Sequence, residues 1–219
     1  MALEELTPRG DRRPFISAVI PALNEEETVG EVVARTMTHV DEALVIDDGS
    51  EDETSVVAAG AGARVLRNPV NRGVLESLRR GFREVRGELI VTLDADGQHD
   101  PDDIPQLLEP VLRGEADLAL GVRPELPHLS ERVITALTSL RVGVEDASTG
   151  FRAIRTSLAR RMDVHGACTC GTFVLEAHSL GARIAQVPVN IRQRMDSRRR
   201  VQTRHFVQTL YVIYDLLRY

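Results

Sequence analysis

The sequence predicts an α/β fold: a single domain built on a doubly wound, mostly parallel sheet with helices on both faces. Three observations carry this. Short β-branched runs without polar alternation recur through the first half, as strands buried on both faces require. Helical patterns of ten or more residues separate them. Several of the runs end in acidic loops, and ligands of doubly wound sheets bind outside the carboxyl ends of the strands. A length of 219 residues suits one large domain.

In chain order, strands are expected at Ile16–Ala22, Ala43–Asp48, Ala63–Leu66, Glu88–Asp94 and Asp117–Gly121. Helices are expected between them at Glu25–His39, Asp52–Ala61, Gly73–Val85 and Pro101–Leu112. Ser50-x-x-Glu53 reads as a capping box. In Asp100-Pro101-Asp102-Asp103, an N-cap is followed by proline at the first helical position and acids in the first turn. The GAGAR segment Gly60–Arg64 precedes a strand and so ends a helix; no G-x-G-x-x-G follows the first strand, which argues against a dinucleotide-binding dehydrogenase. Beyond Gly121 come a helix at Leu129–Arg141, the turn-rich EDASTGFRA, a helix at Phe173–Leu180, a strand at Arg183–Ile191 and a last helix from about Val201. The expected organisation is an N-terminal extension (1–14), one domain (15–200) and a C-terminal amphipathic helix (201–219).

Composition narrows the chemistry. There is no Trp and aromatic residues are 4%, so the core is built from Ala, Val, Leu and Ile. All 27 bases are Arg, which excludes a Schiff-base or P-loop lysine. The net charge of −6 disfavours bulk nucleic-acid binding. That charge is uneven: Pro188–Tyr219 holds seven Arg and two acids, +5, leaving −11 for the first 187 residues. The first residues lack the apolar segment of a secretory signal, no stretch is long and apolar enough to span a bilayer, and a cytoplasmic location is expected. Cys168 and Cys170 are too close for an unstrained disulfide. Two thiols alone make an incomplete zinc site, so ordinary reduced thiols are expected.

Three strand ends gather carboxylates: PALNEEE, DDGSEDET and DADGQHD. Any one of them could be helix capping; three on one sheet edge point to a ligand. In the last, Asp94 and Asp96 stand at i and i+2 on extended chain, where side chains point the same way, and Gln98 continues the spacing. Hard oxygen ligands suit Mg²⁺ or Mn²⁺, and so few of them leave positions for phosphate oxygens. A divalent ion would reconcile an acidic body with a nucleoside diphosphate.

VIPALNEEETV, VIDDGSEDET, NRGVLESLRRGF, LDADGQHDP, DASTGFRA and VPVNIRQRMDSR follow, in order, the motif train of family 2 glycosyltransferases with the GT-A fold. The chain resembles the branch of dolichol-phosphate mannose or glucose synthases and related polyprenyl-phosphate glycosyltransferases, from about Ile16 to Arg198. The resemblance implies that Pro21, Leu23, Glu25, Ile46 and Asp48 surround the base and ribose. It also implies that Asp94, Asp96 and Gln98 form the metal and diphosphate site, with Ala95 beside the nucleotide. Arg123, Ser148 and Arg152 fall on the sugar-phosphate or acceptor side, with Asp146 as candidate base or acceptor-positioning group, and Glu176 on a helix behind that cleft. Arg194, Ser197 and Arg198 match a loop that folds over the diphosphate. Its gap is one residue short here, its glycine is absent and Arg198 replaces its lysine.

The implied reaction is metal-dependent and inverting: mannose or glucose passes from a GDP- or UDP-linked donor to a polyprenyl phosphate. The alternatives are a soluble acceptor such as a phosphorylated glycerate and, on a related sheet, a sugar-nucleotide pyrophosphorylase. The latter needs a Gly-rich Arg/Lys loop where PALNEEE stands. His205–Tyr219, mostly apolar and preceded by clustered Arg, suits an interfacial helix on the cytoplasmic face of a membrane; docking on the chain's own core or on a second copy is the other reading.

Overall fold

The computed structural model describes residues 12–126, 128–192 and 202–219, with side chains of the last stretch from His205 onward. Seven strands form one sheet: β1 Ile16–Ala22, β2 Glu42–Asp47, β3 Arg64–Arg67, β4 Leu89–Thr92, β5 Leu118–Val122, β6 Arg152–Arg155 and β7 Ile184–Pro188. Their spatial order is β3-β2-β1-β4-β6-β5-β7. The helices are α1 Val29–Thr36, α2 Thr54–Gly60, α3 Val74–Glu84, α4 Ile104–Leu112, α5 Leu129–Val142, α6 Thr156–Ala159, α7 Thr172–Ser179 and α8 Gln202–Arg218.

Side-chain alternation along β1 and β2 explains why both strands read as continuously apolar. Ala18, Ile20, Ala43 and Val45 face one core with Val33 of α1, Ala58 of α2 and Leu107 of α4. Val19, Leu44 and Ile46 face the other, with Leu78 and Phe82 of α3 and Phe173 of α7. A strand sandwiched in this way has no solvent face on which a polar residue could alternate. Helix α3 lies so close to β1 that a Cβ on Gly81 would fall 2.4 Å from Val19 Cγ1. Helix α8 closes the molecule over α5 and α7, burying Val212 against Ile134, Cys170 and Leu175.

Two local expectations fail. EDASTGFRA leads directly into β6, which runs antiparallel between β4 and β5. Four residues that begin and end on arginine, Arg152–Arg155, carry too little apolar signal to show as a strand. The capping box at Ser50 and Glu53 does not form. Ser50 Oγ instead accepts from the Asn24 N–H at 3.0 Å, and Asp52 accepts from the Thr54 N–H at 3.0 Å. The other start holds: Asp100 accepts from the Asp102 N–H at 3.2 Å, opening a 3₁₀ turn at Pro101–Asp103 that feeds α4.

The inserted β6 decides the layout of the site. Its register sets Arg152 opposite both Thr92 and Leu120, so the DASTGF loop arrives beside the carboxyl end of β4. Thr92 Oγ1 seals this by donating to the Gly150 carbonyl at 2.7 Å.

Candidate active site

The loop after β4 keeps the period of two that its sequence promised. Leu93 and Ala95 turn into the core, while Asp94 and Asp96 stay partly exposed, Asp94 with half of its side chain accessible. Gly97, at φ +73°, turns the chain, and Asp96 Oδ1 accepts from the Gln98 N–H at 3.1 Å. His99 then points back inside, stacked on Phe151 at 5.2 Å between ring centroids. Its Nδ1 accepts the Asp94 N–H at 3.2 Å, which fixes the backbone at the first carboxylate. Burial pushes the His99 pKa down, against the opposing charges of Asp94 and Asp96, so the ring is held neutral.

The loops after β1 and β2 are zipped together. Asn24, at φ +54°, accepts from the Glu51 N–H at 2.8 Å, and the Glu25 N–H donates to Thr54 Oγ1 at 2.8 Å. Thr28 joins this pair to the β4 loop by donating to the Ala95 carbonyl at 2.8 Å; its hydroxyl also lies 3.2 Å from Glu25 Oε2. Between these loops lies a cavity of about 600 Å³, lined by Glu25, Thr28, Glu31, Arg35, Asp96 and Arg192 among others. Pro21 and Leu23, at the end of β1 and just past it, are half-buried and outside this lining.

The chain reaches this rim again after β7. The backbone at Ile191 bridges His99, and the Arg192 N–H donates to the Gln98 carbonyl at 2.9 Å. The Arg192 guanidinium lies 3.3 Å from both Glu31 and Asp100. The Arg-rich segment expected to cover the diphosphate therefore begins beside the Asp94–Asp100 loop. Arg194, Ser197 and Arg198 themselves lie outside the described residues.

Opposite stands the DASTGF loop. Asp146 is fully buried and binds Arg123 bidentately, at 2.6 Å to Nε and 3.0 Å to a terminal nitrogen, while accepting the Ser148 N–H at 2.9 Å. Glu131 stands 3.5 Å from the same guanidinium. The Ser148 hydroxyl is buried without a hydrogen-bond partner among the described residues. Gly150 backs directly onto the first carboxylate: a Cβ there would lie 2.9 Å from Asp94 Oδ2. Glu176, behind the cleft on α7, accepts the N–H groups of Asp163 at 2.5 Å and Val164 at 3.0 Å.

Several expected contact residues are placed in the interior instead. The Ile46 side chain is fully buried among Val19, Leu78 and Phe82, because β2 is covered on both faces, so it cannot line the base pocket. The Ala95 side chain packs in the core, leaving its carbonyl on Thr28. Asp48 is buried and accepts from Asn68, the Arg72 N–H and the Gly73 N–H at 2.7–2.9 Å, which anchors the loop before α3. Arg152 is 1% exposed, with its guanidinium 4.2 Å above the Phe173 ring and donating to Thr169 Oγ1 at 2.9 Å. Burial lowers its pKa to about 10, and its charge acts on Asp94 and Asp146 through space rather than by contact. Thr28, His99 and Arg192 were not singled out from sequence. All three lie inside the motifs quoted above, but most of their partners (Ala95, Phe151, Glu31 and Asp100) come from other segments of the chain.

The donor set fits a hard divalent cation. Asp94 and Asp96 offer carboxylates from the exposed side of the loop, Gln98 two residues on is partly exposed with an amide oxygen to offer, and the His99 nitrogen nearest Asp94 is already engaged with backbone. So few protein ligands would leave coordination positions for phosphate oxygens.

The chain matches the family described as Glycosyl transferase family 2 over residues 17–173. It is 30% identical over 203 residues to the undecaprenyl-phosphate 4-deoxy-4-formamido-L-arabinose transferase of Edwardsiella ictaluri, covering 82% of this chain and 61% of that protein. It is likewise 30% identical over 209 residues to the low-salt glycan biosynthesis hexosyltransferase of Haloferax volcanii, covering 86% of this chain and 50% of that one. The chain thus spans less than two thirds of either protein. The structure superposes on Mycobacterium tuberculosis glucosyl-3-phosphoglycerate synthase, crystallised with Mn²⁺, uridine diphosphate and glucosyl-3-phosphoglycerate. There the TM-score is 0.79 at 27% identity, over 100% of this chain and 84% of the other. Another crystal structure of that enzyme holds Mg²⁺ with uridine diphosphate. Three carboxylate-bearing strand ends, an antiparallel strand that seats the DASTGF loop beside Asp94, and these likenesses agree: the chain belongs to glycosyl transferase family 2 and is a glycosyltransferase of GT-A fold.

Proposed function

We propose that this enzyme moves mannose or glucose from a GDP- or UDP-linked donor to a polyprenyl phosphate, with Mg²⁺ or Mn²⁺ held by Asp94, Asp96 and Gln98. The carrying observation is the Arg123–Asp146 pair. Both oxygens of the carboxylate best placed to serve as base are held by a guanidinium, the Ser148 N–H or both. A sugar-hydroxyl acceptor needs a base, whereas a phosphate monoester is already an anionic nucleophile. Undecaprenyl- and dodecaprenyl-phosphate transferases among the relatives support the same acceptor class.

In the reaction, a phosphate oxygen of the acceptor attacks the anomeric carbon from the face opposite the diphosphate, inverting the configuration. The carbon–oxygen bond to the donor breaks, and its electron pair leaves on the nucleoside diphosphate. The bound metal would neutralise charge on that leaving group. His99 holds the Asp94 backbone, Thr28 holds the Ala95 carbonyl, and Gly150 leaves room for the Asp94 carboxylate. Arg123, oriented by Asp146, supplies positive charge on the acceptor side, and Arg194 and Arg198 would close over the diphosphate from the segment that follows Arg192.

Among the described residues no helix is long and apolar enough to cross a membrane. Helix α8 nevertheless exposes Phe206, Leu210, Tyr214 and Leu217, from 56 to 85% accessible, beside Leu140 of α5 at 81%. We read this face as peripheral contact with the membrane that carries the acceptor, on its cytoplasmic side. The test is radiolabelled GDP-mannose, GDP-glucose or UDP-glucose with dolichyl phosphate and Mn²⁺. Label should enter the organic phase, and Asp96→Ala should abolish that transfer.

A second reading, transfer to a phosphorylated glycerate, is favoured by the likeness to glucosyl-3-phosphoglycerate synthase over 100% of this chain and 84% of that one. Turnover on 3-phosphoglycerate without lipid, and none on dolichyl phosphate, would replace the first reading by this one.

A further inference from the structure

A second cluster of metal-ligating side chains lies outside the cleft. Cys168 and Cys170 stand in the loop before α7, and His205 lies near the start of α8. Their ligand atoms all lie within 4.8 Å of one another. In a tetrahedral zinc site, bonds of about 2.3 Å to sulfur and 2.0 Å to nitrogen set ligand atoms about 3.4–3.8 Å apart. The cluster therefore needs a contraction of at most about 1.4 Å. Cys170 and His205 are buried and Cys168 is half-buried, leaving a solvent-facing side for a fourth ligand.

The surroundings are built as metal sites are built. Ser130 Oγ lies 2.7 Å from His205 Nδ1, the outer contact that orients a ligating imidazole and leaves Nε2 for the metal. Gln208, one turn along α8 and fully buried, clamps the cysteine loop. It accepts the N–H groups of Ala167 at 2.8 Å and Cys168 at 3.1 Å, and donates to the Cys170 carbonyl at 2.6 Å. The backbone bearing both thiols is thus held in place before any ion arrives.

We propose that Cys168, Cys170 and His205 bind a thiophilic divalent cation, Zn²⁺ by ligand type, with water completing the tetrahedron. Two thiolates and an imidazole select such an ion over the hard Mg²⁺ of the catalytic loop. Binding displaces both thiol protons to solvent, while His205 contributes a neutral nitrogen. The ion pins α8 to the α7 loop. It also steadies Thr169, which sits between the two cysteines and receives the hydrogen bond from the Arg152 guanidinium. The site does not depend on the identity of donor or acceptor.

Anaerobic Co²⁺ titration of the full reduced chain tests this. Thiolate-to-cobalt charge-transfer bands should saturate at one ion per chain and vanish on adding Zn²⁺. They should survive Asp96→Ala, which removes the other metal site, and be lost in Cys170→Ser and His205→Ala. At a hundred times its dissociation constant, Zn²⁺ should raise the melting temperature by about 5–11 °C. If the buried variants misfold, Cys168→Ser at the half-buried position should retain the fold and lose at least half of that rise. Folded protein with both thiols titratable and no charge-transfer band overturns the proposal, as does a band that persists in a folded Cys170→Ser variant. So does an as-purified Cys168–Cys170 disulfide whose reduced form takes up no metal.

Discussion

Replacing Asp146 by Asn keeps shape and removes the charge that holds Arg123. In the wild type this carboxylate is 0% exposed and takes Arg123 Nε at 2.6 Å, a terminal nitrogen at 3.0 Å, the Arg123 N–H at 3.4 Å and the Ser148 N–H at 2.9 Å. The amide presents one acceptor oxygen and one NH₂ group, so at least one donor must face another donor. Breaking a buried ion pair on one side costs about 3–5 kcal/mol. Glu131, 3.5 Å from the same guanidinium, remains as a partner, which argues for the lower end, about 3 kcal/mol. For a chain of this size that lowers the melting temperature by about 6–12 °C. Urea unfolding should show the loss as a shifted midpoint at unchanged slope. Adding Arg123→Met and Glu131→Gln to Asp146→Asn should give a chain no less stable than Asp146→Asn alone, since no charge of the cluster then remains unpaired. A loss below about 1 kcal/mol, the range of exposed pairs, would refute this account of the pair. Transfer rates give a second readout. If Asp146 only positions Arg123, Asp146→Asn lowers the rate without reshaping its pH profile; loss of the limb that rises from low pH would make it the base.

Three further perturbations follow from the same geometry. Gly150→Ala should push the Asp94 carboxylate aside and weaken Mn²⁺-dependent nucleotide binding about tenfold, near 1.4 kcal/mol by calorimetry, while unfolding free energy changes by less than about 1 kcal/mol. Burial would raise the Glu42 carboxyl pKa, but hydrogen bonds from Ser17, the Arg86 N–H and Arg64 hold it below the ordinary value. Its contribution is therefore complete above pH 4.5 and lost as pH falls through the folded pKa. Glu42→Gln should cost about 1–3 kcal/mol at pH 7 and flatten acid unfolding below pH 4.5. His99 has its folded pKa lowered by burial, so its contribution is complete above pH 6.5 and declines as the unfolded state takes up a proton below that. Stability measured from pH 7 to 5 should fall by up to about 1.4 kcal/mol per unit more in the wild type than in His99→Asn, whose amide oxygen can still accept the Asp94 N–H.

Local pattern was enough to predict the strand–helix alternation, the Asp100 cap and the outward pairing of Asp94 with Asp96. Each depends on residues within a few positions of one another, where backbone periodicity and capping chemistry act. The ordered motifs likewise carried the family and the carboxylates at three strand ends. Only the folded chain decided the rest. Arg152 matches a cleft motif yet lies inside on Phe173, because β6 enters antiparallel and turns that side chain toward α7. Asp146 is tied to Arg123, 23 residues earlier in the chain. Cys168 and Cys170 read as two unrelated thiols until α8 brings His205 to them from 35 residues beyond. In each case the partner is chosen by strand order and helix docking. Those follow from burying apolar area across the whole domain, a sum that no short stretch of sequence contains.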